Sequence, residues 1–274
     1  YSSRHSGSQI ARERGNTRMG RTRRLRINRG KRLTVNVAGR VYARIPIKTH
    51  VIMAADDIAW VIRRYAGPLL RPGDVLVISE KVVSITQQRA YPISQIRPSW
   101  LARILAKFVH KSPYGIGLGS PWTMELAIRE AGLVRVLAAS VVAGAAKLFG
   151  ARGVFYRVCG AGVAAIDGPC DYTLPPYNRY AILGPSKPDE VAELASKAAG
   201  VPVAIVDASD LGVTVLGVSS GCPEHVFLAE VLADNPLGQS CEQTPIGIVR
   251  PARYVPVRGG AVTPRRSSVG WPRC

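Results

Sequence analysis

The four consecutive apolar residues Val75-Leu76-Val77-Ile78 constrain the fold of this chain more than any other feature. Side chains along a strand point alternately to opposite faces, so a strand without a polar position must be covered on both. A turn at Pro72-Gly73-Asp74 precedes the run. The run Val203-Ala204-Ile205-Val206 repeats the pattern and reads as a second buried strand. A sheet covered in this way needs helices packed on it, which makes the fold class mixed α/β (α+β).

The rest of the chain supplies those elements. Leu33–Val37 alternates as a strand does, Val41–Ile47 continues in that style, and Val213–Leu216 and Ile246–Val249 read as further short strands. Val82–Ile85 reads as an extension of the first buried strand past the polar step Ser79-Glu80-Lys81, and Val154–Val158 as another strand. Helical spacing marks Asp56–Tyr65, Trp100–Val109, Thr123–Glu130 (stopped by Gly132), Asp189–Ala199 (preceded by Pro188 and stopped by Gly200) and Glu224–Leu232. Val134–Phe149 is a small-residue helix expected to be buried. No internal repeat is present, and neither standard nucleotide loop occurs: no G-x-G-x-x-G follows a strand, and no G-x-x-x-x-G-K-[ST] is found.

Net charge is +19, but it is unevenly placed. Residues 1–32 carry 11 Lys/Arg and one acid, Glu13, while residues 251–274 carry five Arg and no acid. Residues 33–250 are left with a net of only +4. The first segment has the composition of a disordered basic arm, able to contact RNA or anionic lipid through phosphates. The alternatives are a solvated tail without a partner, or an extension upstream of a start at Met19. The solvated tail is favoured because no aromatic residue interleaves the arginines to stack on bases. The last segment is a basic Pro/Arg-containing tail. The longest uncharged apolar candidate for a membrane span, Val136–Ala146, has 11 residues, against the roughly 20 that a spanning helix needs. The five cysteines show no C-x-x-C spacing and the four histidines are scattered, so free thiols, a reducing cytoplasm and no zinc site are expected.

Three polar clusters stand where strands end, the usual place for ligands in α/β proteins. The first is Asp167 in the turn Asp167-Gly168-Pro169. The second is Asp207-Ala208-Ser209-Asp210, delivered by the buried strand into a glycine turn at Gly212. Asp167, Asp207 and Asp210 together form a candidate three-carboxylate site for Mg²⁺ or Mn²⁺, which prefer oxygen; each Asp has turn capping as its alternative use. The third is Asn235–Pro245, where amides around Gly238 are candidates to cradle phosphate and Glu242 is available to the metal; a plain surface loop is the alternative. A weaker fourth is the glycine-rich loop Tyr114–Gly119 before a helix N-terminus, for which a plain connector is the competing reading.

In this order the chain resembles the coenzyme F420-0:γ-glutamyl ligase family. The likeness runs over about residues 41–250: Ile45-Pro46-Ile47-Lys48, then Asp56–Ile62, then Pro72–Ser84, where it is clearest. It returns at Ala165-Ile166-Asp167, at Val203–Gly212 and at Leu237–Arg250. The resemblance implies that residues 33–250 form one F420 ligase-like domain, divisible into two lobes near residues 110–160, with mixed sheets and packed helices. It implies a homodimeric enzyme that uses GTP (or ATP) and Mg²⁺ or Mn²⁺ to join a small-molecule carboxylate to L-glutamate or another amino acid. It implies metal ligands among Asp167, Asp207, Asp210 and Glu242. Nucleotide contacts would fall at Pro46, Ile47, Lys48, Ser79, Lys81, Gly238, Gln239, Gln243 and Arg250. It names no catalytic residue with certainty of role. The chain also departs from the family pattern. Ile85 stands at the family's lysine, Gln88 at its glycine and Ser209 at its metal-binding aspartate, and Gly168-Pro169-Cys170 replaces a Ser-Asn after the first aspartate. The departures at Ile85 and Ser209 leave open a non-catalytic nucleotide- or metal-binding relative, and the basic arm leaves open a binder of RNA or anionic surfaces through residues 1–32.

Overall fold

A computed structural model describes residues 27–109, 117–151, 153–210 and 212–252. In chain order the elements are β1 (Thr34–Val37), β2 (Arg40–Ile47), α1 (Ile58–Val61), β3 (Val75–Ser79), α2 (Glu80–Thr86), β4 (Ala90–Pro92) and α3 (Trp100–Phe108). They continue with α4 (Pro121–Ala131), α5 (Leu133–Leu148), α6 (Val154–Cys159), α7 (Ala161–Ala164), β5 (Tyr180–Ile182), α8 (Pro188–Ala199), β6 (Val203–Ser209), β7 (Gly212–Val218), α9 (His225–Leu232) and β8 (Ile246–Pro251).

Six strands form one mixed sheet in the order β1-β2-β8-β3-β6-β7, and β4 and β5 pair separately. The two apolar runs lie side by side in its middle: β3 and β6 are parallel, with Ser79 opposite Val206. Antiparallel β8 flanks β3 on the other side. Both faces are covered, as an all-apolar strand demands. Leu76, Ile78, Val203, Ile205, Ile246 and Ile248 enter one core with Val61, Ile62, Val83 and Ala192. Val75, Val77, Ala204, Val206 and Val249 enter the opposite core with Leu228, Val231 and Leu232 of α9. Close approach of α8 to β7 requires Gly217, since a Cβ there would stand 2.6 Å from the Asp189 nitrogen. A further core, from Ile96 to Leu183, is built mainly by α3, α4, α5 and α6.

Three expectations need correction. Val82–Ile85 is helical, within α2, rather than an extension of β3. Every side chain from Val82 to Ile85 is buried, so the run had no period to read, and short apolar runs do not distinguish buried helix from buried strand. The same ambiguity applies to Val154–Val158, which is the helix α6. The helix over 134–149 exists as α5, but only Val136 and Ala139 are buried. It packs against α4 and α6 on one side and is open on the other. Within the segment expected as a basic arm, Asn28 donates to the Pro236 carbonyl (2.9 Å) and to Thr244 Oγ1 (2.8 Å), so the residues just before β1 are fastened to the fold. Residues 1–26 and 253–274 lie outside the described residues.

Candidate functional site

The parallel pair β3–β6 ends on one side of the sheet, and a cavity of about 340 Å³ opens there. Its wall combines Ser79, Glu80 and Lys81 from the β3–α2 junction, Asp167 and Gly168, the end of β6 through Asp210, and Leu237–Thr244. All three polar clusters read from the sequence therefore meet at one place. Asp167 reaches it through a two-hydrogen-bond bridge to Ile182: its amide donates to the Ile182 carbonyl (2.8 Å), and the Ile182 amide donates back (2.9 Å). The loop 235–245 is fixed by Ser79, whose amide donates to the Pro245 carbonyl at 2.8 Å.

The centre of the cavity is crowded with carboxylates. Lys81 Nζ lies 2.7 Å from Asp167 Oδ2. Glu80 is 5% exposed, and its Oε2 has no hydrogen-bond partner. Burial pushes the Glu80 carboxyl well above its ordinary range, and repulsion from Asp207 and Asp167 pushes it further; Lys81 offsets only part of this. Enclosure raises Asp207 as well, followed by repulsion from Asp167. Enclosure acting alone would lower Lys81, but the Asp167 carboxylate overrides it and holds the ammonium well above its usual value. Three acids thus face one cation, an arrangement that favours binding of further positive charge.

Several expected contacts are placed differently. Asp210 lines the cavity but is paired with Lys31 at 2.7 Å. The Gly238 and Ser240 amides are engaged within their own loop: Gly238 donates to the Asn235 carbonyl (3.1 Å) and Ser240 to Glu242 Oε2 (2.7 Å). The Glu242 carboxylate packs where a Gly238 Cβ would stand, at 2.6 Å, and Gly238 has φ +87°. Gln239 accepts from the Asp210 amide (3.1 Å), and Gln243 donates to the Thr49 carbonyl (2.9 Å), so both tie wall segments together.

Arg250 does not reach the cavity. It belongs to the opposite end of β3, where its Nε and Nη2 bind both oxygens of buried Asp74 at 2.7 and 2.8 Å. Antiparallel β8 carries it there, since Val75 pairs with Val249. Pro46 and Ile47 are inside β2, paired with Gly247 and Ile246, and Lys48 is exposed. The chain enters the cavity wall only at Thr49–Ile52. Of the glycine-rich loop, residues 110–116 lie outside the described residues. Gly117–Gly119 is a 3₁₀ turn, and the next helix is capped by Ser120, whose Oγ accepts from the Thr123 amide (3.2 Å).

The structure also adds residues. Glu80 is a buried acid with an unpartnered oxygen, and its only signal was a charged step directly after an apolar strand. His50 lines the cavity between Asp56 (2.9 Å) and the Tyr65 hydroxyl (3.0 Å). Tyr172 lies in the wall beside Cys170; burial, followed by its hydrogen bond with Cys170, raises its hydroxyl pKa. Cys159, Cys170 and Cys222 are free thiols, whereas Cys241 is disulfide-bonded and departs from the expected pattern.

No group of three or more His, Cys, Asp or Glu among the described residues is placed to hold a metal ion by itself. The donor chemistry nevertheless fits a hard cation: Glu80, Asp167 and Asp207 offer carboxylate oxygens, and one buried oxygen is unpartnered. A model of the F420-0:gamma-glutamyl ligase family matches residues 46–206, more than half of the chain. The chain belongs to this family. Membership carries ligase function at the level of the family, whose enzymes are nucleotide-dependent and whose substrates include a carboxylate and glutamate. The matched span includes Ser79, Glu80, Lys81 and Asp167 and stops one residue before Asp207. The second half of the cavity wall, including Ser209, lies beyond it. No curated protein matches the chain.

Proposed function

We propose that this member of the F420 ligase family forms an amide between a small carboxylate and the amine of L-glutamate or another amino acid. The reaction resembles GTP-dependent glutamate addition to F420-0. The observation that carries this reading is the convergence of Ser79–Lys81, Asp167 and Asp207 on one cavity. In the proposed reaction the substrate carboxylate attacks the terminal phosphorus of GTP or ATP and releases the nucleoside diphosphate. The amine then attacks the acyl phosphate, releasing phosphate and a proton. Mg²⁺ or Mn²⁺ would neutralise charge on the phosphates, held by one or two carboxylates with phosphate oxygens completing its shell, the usual mode for Mg²⁺. Asp167 and Asp207 are the proposed ligands, with Glu80 behind them. Lys81, now on Asp167, is placed to turn to a phosphate oxygen when a cation takes its position. Residues 33–250 are proposed to act as one domain, in a homodimer like those the resemblance implies.

Calorimetric titration with GTP, GDP and ATP in Mn²⁺ tests the reading; saturable binding that Asp167→Asn removes is the expected result, and no binding of any of the three would overturn it. A second reading is a non-catalytic relative that binds nucleotide or metal. It is favoured by the Lys81–Asp167 and Lys31–Asp210 pairs, which occupy one proposed ligand and a second carboxylate of the cavity wall. Binding without release of nucleoside diphosphate, across a panel of carboxylates with glutamate, would select it.

A further inference from the structure

Helix α5 is apolar apart from Arg135, Ser140 and Lys147, yet it is bound to the protein on one side only. Val136 and Ala139 face inward. On the opposite side Val134, Val141 and Leu148 are 82%, 73% and 86% exposed, and Phe149, just beyond the helix, is 88% exposed. At 3.6 residues per turn these valines and the leucine share one stripe, with Arg135 and Lys147 flanking it on either side. An apolar face of this extent is ordinarily covered by protein or lipid.

Charge decides between the candidate covers. Residues 131–166 contain no Asp or Glu. The two acids of the preceding helix are already paired, Glu125 with Arg129 and Glu130 with Arg89. A two-fold interface would bring this face against itself, adding the partner copy's cations to Arg135 and Lys147 with no acid on the face to balance them. A nucleic acid would leave the valines without a partner, because aliphatic side chains do not stack on bases. Apolar side chains between cations, without anions, match the headgroup–acyl boundary of an anionic bilayer, where lysine and arginine extend toward phosphates. Helix α3 of the same region repeats the composition, with exposed Trp100, Ile104 and Phe108 at four-residue spacing beside Arg103 and Lys107. No single helix among the described residues is long and apolar enough to cross a membrane. Helix α5 has 16 residues, about 24 Å at 1.5 Å per residue, against a hydrocarbon core of about 30 Å.

We infer that the outer face of α5 docks the protein on an anionic lipid surface, lying in the interface without spanning it. Co-flotation of the full chain with vesicles tests this, comparing phosphatidylcholine alone with a mixture containing one quarter phosphatidylglycerol. Binding to the mixed vesicles and little to the neutral ones is expected. The combined variant V134Q/V141Q/L148Q should lower partitioning at least tenfold. R135Q/K147Q, which leaves the apolar stripe intact, should lower binding to the mixed vesicles by roughly thirtyfold. Unchanged flotation of both variants would overturn the inference and assign binding to another segment, such as residues 1–26. It would equally be overturned if the chain formed a dimer that V134Q/V141Q/L148Q dissociates, as followed by sedimentation equilibrium, without floating on either vesicle.

Discussion

The two ends of β3 hold acids in opposite conditions. At its start Asp74 is 1% exposed, and both its oxygens are held by Arg250, with the Arg71 amide also donating to it. Its pairing is complete, and the hydrogen bonds with Asp74 raise the Arg250 pKa further. At the other end Glu80 is as deeply buried, but it has Asp207 and Asp167 for neighbours and one oxygen with no partner. The same strand thus delivers a closed ion pair to one side of the sheet and an unbalanced set of charges to the other.

Substitution should separate the two ends. The largest effect is expected at the open end in activity: Asp167→Asn should lower the rate of ligation by about 10²–10³-fold, measured as release of nucleoside diphosphate. Its stability should change little, because the Asp167 side chain is half exposed. At the closed end the outcome should invert. Asp74→Ala leaves a partly buried guanidinium unpaired and should cost about 3 kcal/mol in urea denaturation, with nucleotide affinity of the folded protein unchanged. An Asp74 variant that lost nucleotide binding at full stability would break the comparison.

Glu80→Gln sharpens it through pH. The folded protein holds the Glu80 proton more tightly than the unfolded chain does. The stability linked to that proton is fully present below the unfolded pKa, and is lost as pH rises through the folded one. Stability of the parent should therefore fall as pH rises above the ordinary glutamate range, and the variant should lack this component of the slope. The stability of the variant relative to the parent should therefore rise between pH 5 and pH 8, read from thermal unfolding at the two values. The smallest effect is expected from Lys31→Ala. Its pair with Asp210 is partly exposed and should contribute about 0.2–1 kcal/mol, while its loss frees Asp210 and should slightly tighten Mn²⁺ binding in a calorimetric titration.

The parts of the molecule that were legible follow from the physics of each signal. β3 and β6 could be read because turn residues, Pro72-Gly73-Asp74 before one and Gly200 before the other, bound each apolar run, and the acids at the end of β6 could be placed because strand ends face clefts. Helices with caps and stops, such as α8 between Pro188 and Gly200, were equally readable. Val82–Ile85 was not, because uniform burial erases the period that separates helix from strand, and Val154–Val158 was not, because a short β-branched and aromatic run has a strand preference that its tertiary setting overrides. Glu80 was overlooked because its importance is a property of neighbours brought from residues 167 and 207. Arg250 was misplaced for a related reason: the direction of β8 decides which end of the sheet it reaches, and direction is not written in the local sequence. The Gly238 loop carries the composition of a phosphate cradle, yet Glu242 folds back into the space that its glycine leaves.

The bridge between Asp167 and Ile182 gives the cavity an adjustable wall. Ile166, Ala181 and Leu183 lie in the helical core, while Ile182 is buried among the side chains under the sheet. Asp167 therefore sits on a seam, and its separation from Asp207 is a measure of how the two cores are seated. The Leu183 amide extends the same stitching to the Arg89 carbonyl at 3.0 Å. Tilting or loosening the α3–α6 bundle would move that carboxylate as a lever moves its tip. What the outer helices touch can thus be felt at Asp167 without any change in its own neighbours.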